Sequence, residues 1–396
     1  MIKYKNVLKL CKNAGNEGKG MKLIHLSDLH LGKRVNEFSM IEDQSYILRE
    51  IIRIIDEENP DGVIIAGDIY DKSIPSEEAV SLWDDFLNML ATRKLEVYVI
   101  SGNHDSAVRV SEMHRIVDAA GIHLSPAYDG NISCHTFSDK YGDVNIYLLP
   151  FIKPANVRAV FPDEKIESYT DAVRVALEKG AALDDARRNV LVAHQFVTGA
   201  SRCESEEITI GGLDNVDASV FDGFDYVALG HIHGPQYVSK ENIRYCGTPL
   251  KYSFSEKDHH KAVTAIELRD KGDCEIRKIE LKPMRDLRQI KGTYDEVTDK
   301  RNYDGTDTND YVHIVLTDEE DIPDAIGKLR VIYPNLMKLS YDNARTKENR
   351  VIEGSAEIEK KSPIDLFEEF YELQNNQEMS DEQRELVQEL IENIWR

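Results

Sequence analysis

An α/β fold built on two sheets is predicted by three features of the sequence. The first 105 residues alternate between short apolar strands and amphipathic helices in the order β-α-β-α-β. Each of those strands stops at polar residues, as strands do where an α/β sheet meets its ligand. After residue 120 the strands become shorter and more closely spaced, which calls for a second sheet packed against the first.

The elements follow in order. Residues 22–27 form a strand that stops at Asp28. Residues 41–57 place Ile47, Ile51, Ile54 and Ile55 on one helical face. Asn59-Pro60-Asp61-Gly62 is a turn, 63–66 is a buried strand, and Gly67-Asp68 ends it. Ser76 opens a helix that runs to about residue 91. The strand at 96–100 stops at Ser101-Gly102-Asn103-His104-Asp105. Strands are expected at 131–135 and 144–149, and a helix at 168–180. Apolar strands at 190–193 and 226–229 end at His194 and at Gly230-His231-Ile232-His233. Short strands at 236–238, 243–245, 262–268 and 275–281 complete the second sheet. Residues 284–341 read as a β-β-α-β module, with strands at 287–291, 311–316 and 337–341, a polar loop at 299–310 and a helix at 322–333; two further helices open at Ser362-Pro363 and Ser380. The expected division is an N-terminal extension (1–20), a main domain (21–282), a small α+β capping domain (283–345), and a linker with a helical pair (346–396).

Composition narrows the class. A chain of 396 residues is long enough for two or three domains and a core without disulfide staples. With 41% hydrophobic and 31% charged residues it is neither disordered nor fibrous. No run of 18 apolar residues exists, so no membrane helix is expected. Five cysteines without metal-ligand spacing read as reduced thiols in a cytoplasmic protein. Lys9 and Lys12 interrupt the first 20 residues, so these are not a secretory signal. The net charge of −23 argues against a surface that is basic throughout. Residues 352–396 alone contribute 13 acidic and 4 basic side chains, a net −9, so the global value says little about a local groove.

The chemistry lies at the strand ends. Asp28 and His30 alternate, as do His231 and His233, and alternate residues of an extended segment point the same way. With Asp68, Asn103 and His194 they would converge on one rim. A lone H-x-H is a common surface accident; five such elements in order, each directly after an apolar strand, are not. Oxygen and nitrogen donors without thiolate favour manganese, iron or zinc in five- or six-coordination. Asp68 is the natural bridge between two cations, which together can activate water and clamp a phosphate in displacement. His104 would point away from Asn103 and could protonate a leaving oxygen. Asp105 would orient His104 or cap the next helix, and Asp71 would orient a ligand or water.

The order D-x-H, G-D, G-N-H-D, H, G-H-x-H resembles the calcineurin-like metallophosphoesterases. The words His25–Gly32, Gly67–Ser76, Gly102–Ser106, Gly230–His233, Gly247–Glu256 and Pro283–Arg288 resemble, more narrowly, the SbcD nuclease family, from about Met21 onward. The resemblance implies an αββα four-layer sandwich and two Mn²⁺ ions, with iron, magnesium or zinc as alternatives. One metal would take Asp28, His30, Asp68 and His233, the other Asp68, Asn103, His194 and His231. His104 would act on the phosphate. Archaeal relatives carry histidine where Asp71 stands, so that family role is not carried over. DNA would be the substrate, cut as an exonuclease on duplex ends and an endonuclease on single strands or hairpins, in repair, recombination and replication. The partner would be an SbcC-type coiled-coil ATPase, with a homodimer of this chain inside a heterotetramer on the nucleoid.

Lys33, Arg34, Lys72 and Arg109 follow the metal motifs, and Arg285 and Arg288 open the capping module; all six are candidates for DNA phosphates. Leu366, Phe367 and Phe370, with Leu386 and Leu390, are candidates for holding the partner. The competing readings are a stand-alone phosphoesterase for nucleotides or phosphoproteins, and a non-enzymatic scaffold.

Overall fold

The computed structural model describes residues 20–206 and 214–343, with scattered positions between 364 and 390. The expected N-terminal extension, except Gly20, and most of residues 346–396 lie outside the described residues. Among the described residues, no helix is long and apolar enough to cross a membrane. The chain divides into two compact units. One comprises Met1–Ile290, Gly305–His313 and Lys328–Lys338; the other comprises Lys291–Asp304, Ile314–Gly327 and Leu339–Arg396.

The first unit carries two six-stranded sheets. Strands β1 (Met21–Leu26), β2 (Gly62–Ala66), β3 (Glu96–Ile100) and β4 (Ile122–Leu124) run parallel. In the second sheet, β5 (Ser133–Asp139) and β6 (Gly142–Leu149) form an antiparallel hairpin. Beside β6 lie β7 (Arg188–His194), β8 (Tyr226–Gly230) and β10 (Lys240–Tyr245), all parallel, with β9 (Gln236–Val238) at the edge. Two antiparallel strands, β11 (Ala262–Leu268) and β12 (Cys274–Glu280), were expected in the second sheet but complete the first, because β11 pairs with β1; its order is β12-β11-β1-β2-β3-β4. The second sheet has the order β9-β10-β8-β7-β6-β5.

Alternation explains the layers. Leu23, Ile64, Tyr98 and Ile266 of one sheet meet Ile146, Leu148, Val190, Val192 and Ala228 of the other in a fully buried core. Their neighbours one residue along face outward. Ile24, Val63, Ile65 and Val97 pack on helix α1 (Ile41–Glu58) and helix α2 (Glu77–Ala91). Leu191, Ala193, Val227 and Leu229 pack on helix α3 (Tyr169–Gly180). The result is four layers, αββα, with the central strands β2, β7 and β8 buried on both faces because both are covered, while in the edge strands β5 and β12 half-buried residues largely alternate with exposed ones. Each such side chain contributes about 1.5–3 kcal/mol by leaving water. Caps fix the helix starts: Ser76 Oγ accepts the Ala79 N–H at 3.3 Å, and Ser168 and Asp171 form a reciprocal capping box.

A three-stranded sheet joins β13 (Leu287–Gly292), β14 (Tyr311–Leu316) and β15 (Leu336–Tyr341) in that order. The helix expected over 322–333 is six residues long, Ala325–Arg330, because Pro323 and Pro334 bracket it. The polar loop expected at 299–310 begins with a helical turn, Lys300–Tyr303, whose start Asp299 caps.

Candidate metal centre

The carboxyl ends of β1, β2, β3, β7 and β8 meet at one rim, entirely within the first unit. Two glycines make the approach possible. Gly67 has φ +86°, and a Cβ there would lie 2.4 Å from His194 Nδ1. A Cβ on Gly102 would lie 2.1 Å from Asp68 Oδ1. The backbone is also left-handed at Asp28, His30, Asp68 and His231, with φ of 52°, 45°, 49° and 104°. Such residues cost of order 1–3 kcal/mol each and persist where the surroundings over-determine them, as at functional sites.

The rim brings together all seven residues nominated as ligands. Ligand atoms of Asp28, His30 and His233 lie within 4.8 Å of one another, and so do those of Asp28, Asp68 and His194. His30 Nε2 and His233 Nε2 face each other at 3.2 Å. Asp68 Oδ2 is 3.3 Å from His194 Nε2 and 3.8 Å from His30 Nε2. Asn103 Oδ1 lies 2.9 Å from His194 Nε2 and 2.8 Å from His231 Nδ1. The Ala66 carbonyl, 2.8 Å from His194 Nδ1, can only accept, so Nδ1 carries hydrogen and Nε2 faces the rim.

This donor set fits divalent cations. Asp28 Oδ1 accepts the His231 N–H at 2.9 Å, but its Oδ2 is buried with no hydrogen-bond partner among the described residues. A buried carboxylate oxygen without a partner is costly unless a cation meets it. Burial pushes Asp28 up to about 6, against the pull of His194. Burial also lowers His231 to about 3 and His30 well below the usual imidazole range, which keeps both rings neutral, as ligands must be. Burial alone would raise Asp68, but His194, His30 and His104 outweigh it and hold the carboxyl well below its ordinary value. Burial alone would likewise lower His194, yet the Asp68 charge raises it to about 9. The rim is therefore a place that demands positive charge.

The surrounding groups hold the candidate ligands still. Gln44 accepts the Gly32 N–H and donates to the His30 carbonyl and to Tyr252, whose hydroxyl donates to the Leu29 carbonyl. Sequence reasoning missed a network behind His233. Ser205 Oγ and Glu256 Oε1 lie 2.8 and 3.4 Å from His233 Nδ1, and Glu206 accepts the His233 N–H at 2.7 Å. Lys261 pairs with Glu256 and outweighs the effect of its burial, so this carboxyl stays well below the usual range. Glu256 closes the Gly247–Glu256 word, which was the one available signal for it. Asp105 neither orients the His104 ring nor caps a helix: its carboxylate accepts the N–H groups of Ile69, Tyr70 and Gly102 and ties two strand ends together.

His104 sits half-buried at the rim, its ring 4.9 Å from that of His30, and its Nδ1 donates to the Asp71 carbonyl at 3.1 Å. The Asp71 carboxylate pairs with Lys33 at 2.7 Å. Of the other basic candidates, Arg34 donates to the Glu37 carbonyl, and Arg288 pairs with Asp310 at 2.8 Å. Arg285 binds Glu42 and the fully buried Asp43. Lys72 and Arg109 are exposed, with no ion pair among the described residues. Phe367, Leu386 and Leu390 are exposed; Leu366 and Phe370 lie outside the described residues.

Residues 21–235, more than half the chain, match the family model of calcineurin-like phosphoesterases. Residues 283–375 match a model described as the type 5 capsule protein repressor C-terminal domain. A curated relative, the SbcD component of the SbcCD nuclease of Staphylococcus epidermidis, is 33% identical over 377 residues, which are 94% of this chain and 99% of that protein. The chain belongs to the SbcD family. Members of this family are metal-dependent phosphodiester hydrolases of the nuclease type, and this chain is one. Two solved structures align more distantly. A dimetal phosphatase from Danio rerio is 12% identical over 66% of this chain and 96% of that one, with a TM-score of 0.40. The protein TT1561 of Thermus thermophilus is 12% identical over 65% and 99%, with a TM-score of 0.39.

Proposed function

We propose that this SbcD-family chain cuts DNA ends and hairpins with two manganese ions, as the nuclease of an assembly with an SbcC-type coiled-coil ATPase. The convergence of seven oxygen and nitrogen donors on one rim carries the reading. Asp28, His30, Asp68 and His233 would hold one cation and Asp68, Asn103, His194 and His231 the other, supplying Lewis acidity to a phosphoryl oxygen and lowering the pKa of water. Iron, magnesium or zinc would satisfy the same donors.

His104 is the proton donor to the leaving oxygen. Its Nδ1 hydrogen is committed to the Asp71 carbonyl, which leaves Nε2 as the atom that exchanges a proton with substrate. Asp71 positions that ring through its carbonyl, while Lys33 neutralises its carboxylate. Lys72 and Arg109 meet DNA phosphates and set register rather than read sequence. Arg34 and Arg288 add weaker phosphate contacts, and Arg285 is committed to Asp43. The chain has no G-x-x-x-x-G-K-[ST] loop, so ATP acts through the partner. The C-terminal apolar positions, Phe367, Leu386 and Leu390 among them, receive a helix of that partner, within a heterotetramer built on two copies of this chain.

Cleavage of an end-labelled DNA hairpin in Mn²⁺, Mg²⁺ or EDTA, with and without the ATPase and ATP, tests this. Manganese-dependent cutting that the partner enhances is expected. Hydrolysis of a small phosphodiester with no cutting of any DNA would overturn DNA as the substrate and leave a stand-alone phosphoesterase.

A further inference from the structure

Beside the metal centre lies a cleft of about 170 Å³ that shares Asn103 and His231 with the rim. Three of its walls are aromatic: Phe151, Tyr169 and Phe196. Two of its polar residues are buried and incompletely bonded. Gln195 is fully buried; its Nε2 donates to the Ile152 carbonyl at 3.1 Å, which fixes the amide and leaves Oε1 without a partner among the described residues. Asp214 is 7% exposed; its Oδ2 accepts from Arg202 at 3.0 Å, and its Oδ1 has no partner among the described residues. Arg202 also lies 3.4 Å over the Phe196 ring, so one guanidinium fixes both the acid and the aromatic wall.

Buried acceptors without donors are costly, and aromatic walls accept flat rings. A flat ring that carries N–H groups satisfies both. We propose that this cleft is a nucleobase pocket for the nucleotide whose phosphate occupies the metal centre, with the ring among Phe151, Tyr169 and Phe196 and its N–H groups donating to Gln195 Oε1 and Asp214 Oδ1. The proposal rests on the nuclease reading above and adds a base preference to it. Adenine, cytosine and guanine each present an amino group; thymine presents none and offers only its ring N–H. Bases with an amino group are therefore favoured over thymine.

The test is calorimetric titration of the manganese-loaded protein with dAMP, dTMP and deoxyribose 5-phosphate. We expect dAMP to bind about tenfold tighter than the sugar phosphate, with dTMP between them. Asp214→Asn sharpens the test. Arg202 only donates, so it holds the new amide oxygen and turns the amide nitrogen toward the cleft. The preference then shifts from dAMP toward dTMP, whose O4 accepts. Phe151→Leu lowers the ratio of dAMP to sugar-phosphate affinity by a second route, should Asp214→Asn fail to fold. Equal binding of all three probes by the wild type, or an unchanged preference in folded Asp214→Asn, overturns the pocket. Hairpin cleavage separates the two readings. Cutting with equal nucleotide binding removes the pocket alone; base-selective binding without cutting keeps the pocket and removes the nuclease reading.

Discussion

Two clusters of histidines and acids in the first unit have similar composition and opposite character. At the strand-end rim, His30 and His233 present ring nitrogens to each other and Asp28 Oδ2 has no partner among the described residues. In the second cluster, Asp118, His123 and His135 also bring ligand atoms within 4.8 Å of one another. Yet His123 donates from one nitrogen to Asp118 at 2.7 Å and from the other to Glu96 at 3.0 Å, while its ring stacks against Tyr98. Burial lowers its pKa, but the two carboxylates outweigh that and raise it. One cluster is satisfied by protons; the other is not. Proximity of ligand types is thus a poor guide to a metal, and unmet hydrogen bonding is a better one.

The predictions follow that contrast from the largest effect down. Asp68→Asn removes the bridge between the proposed cations. Hydrolysis of a model phosphodiester should fall below detection, and bound metal, read by elemental analysis, should fall with it. Full activity would place the chemistry elsewhere. His104→Gln should lower kcat by about 10²–10⁴-fold with metal content unchanged; a parallel loss of metal would make His104 a ligand instead. Glu256→Gln should weaken metal affinity about 10–100-fold by loosening His233, as read by competition with a chelator. Arg285→Met leaves the buried Asp43 carboxylate with the Tyr311 hydroxyl as its remaining partner at 2.7 Å. It should destabilise the fold by about 2–3 kcal/mol, measured by urea unfolding, with cleavage per folded molecule unchanged.

The smallest effect belongs to the satisfied cluster. His123 has a raised folded pKa, so its stabilisation is fully present below its unfolded value near 6.5 and is lost as pH rises through the folded value. His123→Gln should cost at most about 1 kcal/mol at pH 6 and progressively less as pH rises, read from the melting temperature in chelator. A penalty that grows with pH would reverse the sign and break the contrast.

Much of the rim was legible in the linear chain because its ligands follow apolar strands at fixed spacing. D-x-H and H-x-H were read from the two-residue period of extended backbone, yet Asp28, His30 and His231 are left-handed, so the pairs converge through the turns after the strands; Gly67 and Gly102 mark where backbones nearly touch. Two packed sheets were legible as well, but not the membership of each: β11 and β12 were expected in the second sheet and pair into the first, beside β1. What could not be read depends on partners distant in sequence. Ser205, Glu206, Glu256 and Lys261 meet His233 only after β8 and β11 are in place. Asp105 looked like a local cap and instead spans 36 residues to Ile69. Arg285 looked like a free cation, and only the fold brings it to Asp43, 242 residues away. The cleft walls Phe151 and Phe196 carry no spacing signal at all.

The rim has a further consequence, for how the molecule opens. Asp28, Asp68 and Asn103 follow strands of the first sheet, whereas His194, His231 and His233 end or follow strands of the second. Cations held by both groups, as proposed, would rivet the two sheets across their shared core. Metal then stabilises in proportion to its free concentration, and the protected amides of both sheets respond together. Hydrogen exchange in chelator should therefore speed up in β2 and β8 by the same factor, as one cooperative unit, and not first in one sheet and then in the other.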